Sequence, residues 1–251
     1  MKRIYVSILL LLLLFSCEGD ALGDCFQKAG HRIVEDVQVS PFSKILVNRD
    51  VQLYLKQGET FSVRLETGEN LLDDIDIKVV DGQLFLNNYN QCNWVRDDNT
   101  TQVYVTAPNI TSIRNSSQYV ITSEGVLNYP QLELISETFN VNEAFANGDF
   151  QLTINSDELS VVSNRVSLFY IDGVVEDLSV RFYDGISRFE GENLIAQNVN
   201  IFQRSSNDMV LNPQHILTGE IRGYGNVIVT NQPTIVDVEQ FYSGQLIFDL
   251  D

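Results

Sequence analysis

Histidine is nearly missing from this chain: His31 and His215 are the only two in 251 residues. A Ser-His-Asp triad would have to use one of them, and a zinc site needs clustered Cys and His that do not occur. H-E-x-x-H, G-x-S-x-G, P-loop and dinucleotide fingerprints are absent as well. Basic residues are also scarce, 16 against 34 acidic ones, for a formal net charge of −18. A surface of that sign repels nucleic acid and anionic lipid headgroups. No apolar run approaches the ~20 residues a bilayer-spanning helix needs. No stretch longer than a turn or two shows helical periodicity. The chain therefore reads as a non-enzyme, with no catalytic set, no cofactor and no metal site expected.

What the start does contain is a secretory signal. Lys2 and Arg3 precede a twelve-residue apolar run, Ile4 to Phe15, with six consecutive leucines. The run is too short to span a membrane and fits a segment removed on export. It ends Leu14-Phe15-Ser16-Cys17, which resembles a bacterial lipobox, so residues 1–16 are expected to leave and Cys17 to carry lipid. Each buried CH₂ contributes about 0.8 kcal/mol, and several chains on one cysteine hold a protein to a bilayer without spanning it. The expected location is the outer membrane of a Gram-negative bacterium, lipid-anchored. Glu18 and Asp20 resemble a surface-export signal, which leaves cell surface and periplasmic face both open. Losing Lys2 and Arg3 leaves 14 basic residues against 34 acidic ones. Cys25 and Cys92 remain in an oxidising compartment, where pairs persist. Their bridge would close a loop of about 67 residues, worth roughly 4 kcal/mol in the chain-entropy model; two free thiols are the alternative.

From residue 37 onward, short apolar alternations recur between Gly, Asn, Asp and Ser punctuation. "KILVN" (44–48), "VQLYL" (51–55), "FSVRL" (61–65), "IDIKV" (75–79), "LFL" (84–86) and "VYVT" (103–106) read as strands. The links "NRD", "KQGET" and "DGQ" read as turns, the last with Gly82 free to take positive φ. "GENLLDDI" (68–75) is the one candidate helical turn. After Pro108, apolar triplets start at Leu159, Leu178, Val199, Ile221 and Val238, spaced by 19, 21, 22 and 17. Each is followed by a second strand-like piece across links such as "FYDG", "RSSND", "GYGN" and "YSGQ". A period near 20 implies an all-β, parallel β-helix-like solenoid whose coils share one core. An antiparallel sandwich also places strands at such intervals. The expected division is an anchor and linker over 17–36 and one all-β domain over 37–251. Within it, residues 37–107 are N-terminal strands and 108–251 solenoid coils.

The stretch "PFSKILVNRDVQLYLKQGETFSVRLETGENLLDDIDIKVVDGQLFLNN" resembles the opening of the auto-transporter adhesin head GIN domain family. Members are exported, often lipidated, all-β proteins of Gram-negative bacteria. The likeness runs through residues 35–251 and is most specific in the first seventy. "DCF" (24–26) and "CNWVR" (92–96) resemble pieces of one branch. Family coils often carry Ser-Gly-Ser-Gly links; here only "YGN" (224–226) and "YSG" (242–244) come close. The resemblance implies fold, address and adhesion, and it supplies no catalytic residues to transfer.

Carboxylate pairs such as Asp157/Glu158 and Glu176/Asp177 are too common here to mark a site alone. Arg165, Asp184 and Arg204 fall near matching link positions, where a polysaccharide lyase on a β-helix would build its centre. Tyr183, Tyr224 and Tyr242 share a link position on the same reckoning. With Arg204 between Tyr183 and Tyr224 they form either a ligand face, since flat rings cover apolar sugar faces, or a packed ladder. The leading function is a membrane-tethered, non-catalytic, adhesin-like module that binds a glycan or an envelope protein. The alternatives are a lyase-like carbohydrate-active enzyme and a purely structural envelope protein.

Overall fold

The computed structural model describes residues 26–90, 101–138 and 147–250. Cys17, Cys25 and Cys92, and with them the lipid anchor and the disulfide, lie outside the described residues. No α-helix occurs among those described. A 3-10 turn at Glu69–Asp74 is the expected helical piece.

The N-terminal strands fall where alternation placed them: β2 (Lys44–Val47), β3 (Gln52–Gln57), β4 (Ser62–Gly68), β5 (Ile75–Val80), β6 (Gln83–Asn88) and β7 (Gln102–Ala107). β5 and β6 form an antiparallel hairpin. Its two turn residues, Asp81 and Gly82, have φ of 50° and 73°, the geometry that matches strand twist in a two-residue loop. The segment expected as linker contains a strand, β1 (Arg32–Val37), antiparallel to β4. Arg32 Nη2 meets Glu66 Oε2 at 2.8 Å across that pair.

Ten further strands follow: β8 (Ser112–Asn115), β9 (Ile121–Leu127), β10 (Gln131–Ser136), β11 (Phe150–Ser163), β12 (Leu168–Phe182), β13 (Arg188–Gln203), β14 (Met209–Ile221), β15 (Val227–Val229), β16 (Ile235–Gln240) and β17 (Leu246–Phe248). They pair in parallel with their neighbours, whereas β1–β4, β4–β7 and β5–β6 are antiparallel.

This corrects the expected β-solenoid. All strands belong to one 17-stranded sheet of mixed direction, nearly closed and barrel-like. The repeat was cut in the wrong place. "VSL" (166–168) and the following "LSV" (178–180) are not separate short strands: Leu168 is the first residue of the 15-residue β12, and "LSV" lies near its end. The strand survives its own length because it changes phase part-way. In β11 the buried positions are 150, 152, 154 and 156, then 159, 161 and 163, with Asp157 and Glu158 both exposed between them. Period-2 alternation slips by one residue there, the strand bends, and apolar side chains stay inside on both arms.

The core is built from columns of like residues. Leu159, Leu178, Val199 and Leu217 lie in register, as do Val161, Val180 and Ile201, all buried. Phe150 stacks on Phe169 at 5.0 Å between ring centroids. Hydroxyls also pair inside: Ser136 with Ser167 at 2.6 Å and Ser163 with Ser187 at 2.7 Å. These bonds satisfy polar groups that would otherwise cost about 1–3 kcal/mol each.

Two glycines let long strands approach closely. A Cβ on Gly173 (φ 118°) or Gly219 (φ 127°) would lie 2.0 Å from the Ile154 or Ile201 carbonyl oxygen. Gly82 also has positive φ but nothing within 4 Å of such an atom. Gly173→Ala should therefore destabilise by at least about 1–3 kcal/mol, a fall of roughly 2–12 °C in melting temperature. Gly82→Ala should cost less, and scanning calorimetry on both variants checks the order.

Asp149 sits beside the start of β12 and accepts the Leu168 N–H at 2.8 Å. Burial raises its pKa from the usual 3.8, and the Leu168 bond offsets part of the rise. A raised folded pKa means the carboxylate costs stability as pH rises through it, and costs nothing below the unfolded value. Asp149→Asn should thus melt higher than wild type at pH 7, with the difference fading below about pH 4. Melting curves across pH 3–8 test the sign.

Candidate functional site

A groove of about 570 Å³ lies on the outer surface, running across β10–β14. Two columns shape it. The first is Gln131, Glu158, Asp177, Asn198 and Ile216; the second, two residues further along each strand, is Glu133, Ser160, Ser179, Asn200 and Thr218. Small hydroxyl residues in the second column make the floor, and the longer first column makes one wall. Arg181, two residues beyond Ser179, rises on the other side.

The wall carboxylates are held by amides. Gln131 Nε2 donates to Glu158 Oε2 at 3.1 Å, and Asn198 Nδ2 donates to Asp177 Oδ1 at 2.9 Å. Glu158 and Asp177 are direct neighbours in register, a like-charge pair that disfavours the sheet. On the floor, the Ser179 Oγ is buried and has no hydrogen-bond partner among the described residues. Arg181 makes no ion pair among them.

In the sequence Asp157/Glu158 and Glu176/Asp177 are two carboxylate pairs among many. The signal that could have found the wall was their spacing of 19, continued by Gln197/Asn198 after 21 more residues. That recurrence marks the same place on three adjacent strands.

The link face is arranged differently from the expected one. Tyr183, Arg204, Arg222 and Phe241 each donate a backbone N–H to the preceding strand, so these four form the column. Tyr224 lies two residues beyond Arg222 and does not share the position of Tyr183. The Tyr183 ring contacts Phe202 at 5.3 Å, and Arg204 is exposed. No Tyr183–Arg204–Tyr224 stack forms. A stack of that composition does exist among the N-terminal strands, where the Arg64 Cζ lies 4.6 Å above Tyr104 and Tyr104 stacks on Tyr54 at 4.8 Å.

Tyr224 and Tyr242 do meet. Their rings cross edge-to-face at 4.9 Å and their hydroxyls are 3.1 Å apart, although the two residues are 62% and 58% exposed. The bond to Tyr224 raises the Tyr242 pKa above the usual tyrosine value. Arg222 covers the Phe241 ring at 3.9 Å. Arg165 and Asp184 share a shallower pocket of about 480 Å³ in which Arg204 takes no part. The Asp184 carboxylate there accepts the Gly185 N–H at 2.8 Å. No cluster of three or more His, Cys, Asp and Glu able to hold a metal occurs among the described residues.

With this geometry in view, comparison with known proteins is informative. Residues 41–233 match the family model described as "Putative auto-transporter adhesin, head GIN domain". The chain belongs to this family. No curated protein matches it. Among solved structures it resembles a "putative adhesin" from Bacteroides fragilis, with TM-score 0.78 and 20% identity over 89% of this chain and all of the other. A "putative lipid binding protein" from Parabacteroides distasonis gives 0.62 at 15% identity, again over 89% and 100%. A "putative adhesin" from the same species gives 0.64 at 12%, over 88% and 99%. At these identities the likeness establishes the fold. The family is one of adhesin-like proteins, with cell-surface or extracellular location as the address that its description carries.

The exposed tyrosine pair poses a test of packing against binding. Tyr224→Ala should lower the melting temperature by a few degrees, because it removes both the ring contact and the hydroxyl bond to Tyr242. Calorimetry checks this. Loss of ligand retention at unchanged melting temperature would instead make this face a binding site.

Proposed function

We propose that this protein is a lipid-anchored, non-catalytic binding module of the Gram-negative outer envelope, holding an extended ligand in the groove across β10–β14. One observation carries the reading: the groove's polar groups run parallel along it and do not converge on a point. Glu158 and Asp177 stand side by side on one wall, about 4.8 Å apart as neighbouring strands are. Arg181 lies four residues along the strand from Asp177, about 13 Å away. Glycosidic cleavage needs two carboxyl groups facing each other across one bond, about 5–9.5 Å apart. A parallel arrangement grips a chain at successive points and leaves it intact. The groove's volume also falls in the range of ligand sites, about 300–1,000 Å³.

In this reading Cys17 carries the lipid and Cys25 pairs with Cys92, tying the anchor segment to the body. Family membership supports the address. The Tyr224–Tyr242 edge is a second surface, and the lipid attachment leaves both available to partners in the envelope.

Two measurements test the proposal. Cys17→Ser should move the protein from the membrane fraction to the soluble fraction; unchanged membrane attachment after signal cleavage counts against the anchor. Ser179→Tyr fills the groove floor. It should cut retention of the full-length protein on an immobilised panel of glycans and envelope proteins by at least tenfold, with an unchanged melting curve. Bound polymer incubated with wild type should yield no new reducing ends and no unsaturated sugar. Product accumulation would establish an enzyme instead.

A further inference from the structure

We infer that the groove across β10–β14 selects an uncharged, hydroxyl-rich polymer, a neutral glycan chain lying across the strands, and rejects polymers bearing carboxylates. The inference rests on the groove being the binding site proposed above and names what it takes.

Three features point to this class. First, the groove crosses strands in the middle of the sheet, where every strand already pairs on both sides. A peptide cannot add itself as a strand there, because that mode needs a free edge with unpaired N–H and C=O groups. It would have to bind through side chains alone. Second, the lining offers donors and acceptors at successive strands. Carboxylates stand at Glu158 and Asp177, hydroxyls at Ser160 and Ser179, an amide at Asn200 and an unpaired guanidinium at Arg181. A sugar hydroxyl both donates and accepts, so one repeating group satisfies all of them. Third, the neighbouring carboxylates sit in a chain of formal net charge −18. A uronate placed against that wall meets like charge at short range and a repelling field at long range.

Strand spacing sets the repeat. Each binding position recurs at about 4.8 Å, so the ligand touches β11, β12 and β13 in succession and short oligomers lose contacts in steps. Affinity should therefore rise with chain length until the polymer spans these strands.

The experiment uses the purified full-length protein in detergent and two sets of probes: neutral gluco- and manno-oligosaccharides of two to eight units, and oligogalacturonates of the same lengths. Binding is read by calorimetry at low and at physiological salt. Wild type should bind a neutral series with affinity increasing with length, and bind the uronates at least tenfold more weakly. Ser179→Tyr should abolish neutral binding. The double variant Glu158→Gln, Asp177→Asn keeps side-chain shape and the amide contacts while removing both charges. It should gain uronate binding by at least tenfold, a gain that misfolding cannot imitate. Equal affinity of wild type for the two sets overturns the inference, as does a double variant that gains nothing. If wild type ignores both sets but Ser179→Tyr still abolishes retention on an envelope protein, the ligand class is wrong and the groove stands as the site. If Ser179→Tyr changes no retention at all, the groove itself fails.

Discussion

The in-register pairing of β11, β12, β13 and β14 is the constraint on which the rest of the molecule depends. Each of these strands runs 13 to 16 residues, well beyond the usual length of about 5–6. A strand that long cannot keep one face on a compact core unless it bends. In β11, β12 and β13 a one-residue slip in alternation solves this, so that apolar residues point inward on both arms, whereas β14 keeps one parity and takes up an extra residue against β13. Because neighbouring strands are in register, the bends coincide. The groove lies on the outward face just beyond the bends, where Ser160 and Ser179 stand between longer neighbours on adjacent strands.

Much of this was legible in the sequence. Alternation with Gly and Asp punctuation located β2 to β7, the Asp81–Gly82 turn and the Glu69–Asp74 helical turn, because these are local features set by period and turn chemistry. The near-20 repeat was also real as a spacing between strand neighbours: Leu159, Leu178 and Val199 do stand in one column. Two things were hidden. The continuity of each long strand was masked by the phase slip, since a broken alternation reads as two short strands with a link. The position of Tyr224 was hidden because the link between β14 and β15 is cut differently from the link between β12 and β13. A two-residue offset there moves a side chain to another column. Register is a tertiary property, decided by which inward residues pack, and the links contain too few apolar residues to fix it from sequence.

At the N-terminal end of the sheet the antiparallel strands β4 and β5 pair with β7 and β6, and β1 pairs in turn with β4. At the C-terminal end β16 pairs with β14 and β17 with β15, each on one side only among the described residues. Val236 and Phe248 occupy columns whose preceding members, Leu217 and Val229, are fully buried, yet both are exposed. An open edge with apolar residues invites strand pairing from other chains. The outward Asp237 and Glu239 on β16 oppose that, since charge on an edge strand is a common safeguard against edge-to-edge association. The acidic composition therefore has a local use at this edge beyond keeping the surface soluble.

The groove pulls against stability. Adjacent carboxylates on paired strands repel, and a buried hydroxyl without a partner is a deficit, whereas an alternating Thr and Lys surface would avoid both. The surrounding sheet offsets these costs through its stacked apolar columns, the Phe150–Phe169 contact and the internal serine bonds. Local arrangements that oppose stability while the rest of the structure is consistent are where function is expected to reside. The Tyr224–Tyr242 edge lacks this tension, because its rings satisfy one another. In the groove Glu158 and Asp177 stand side by side and Arg181 has no ion-pair partner among the described residues.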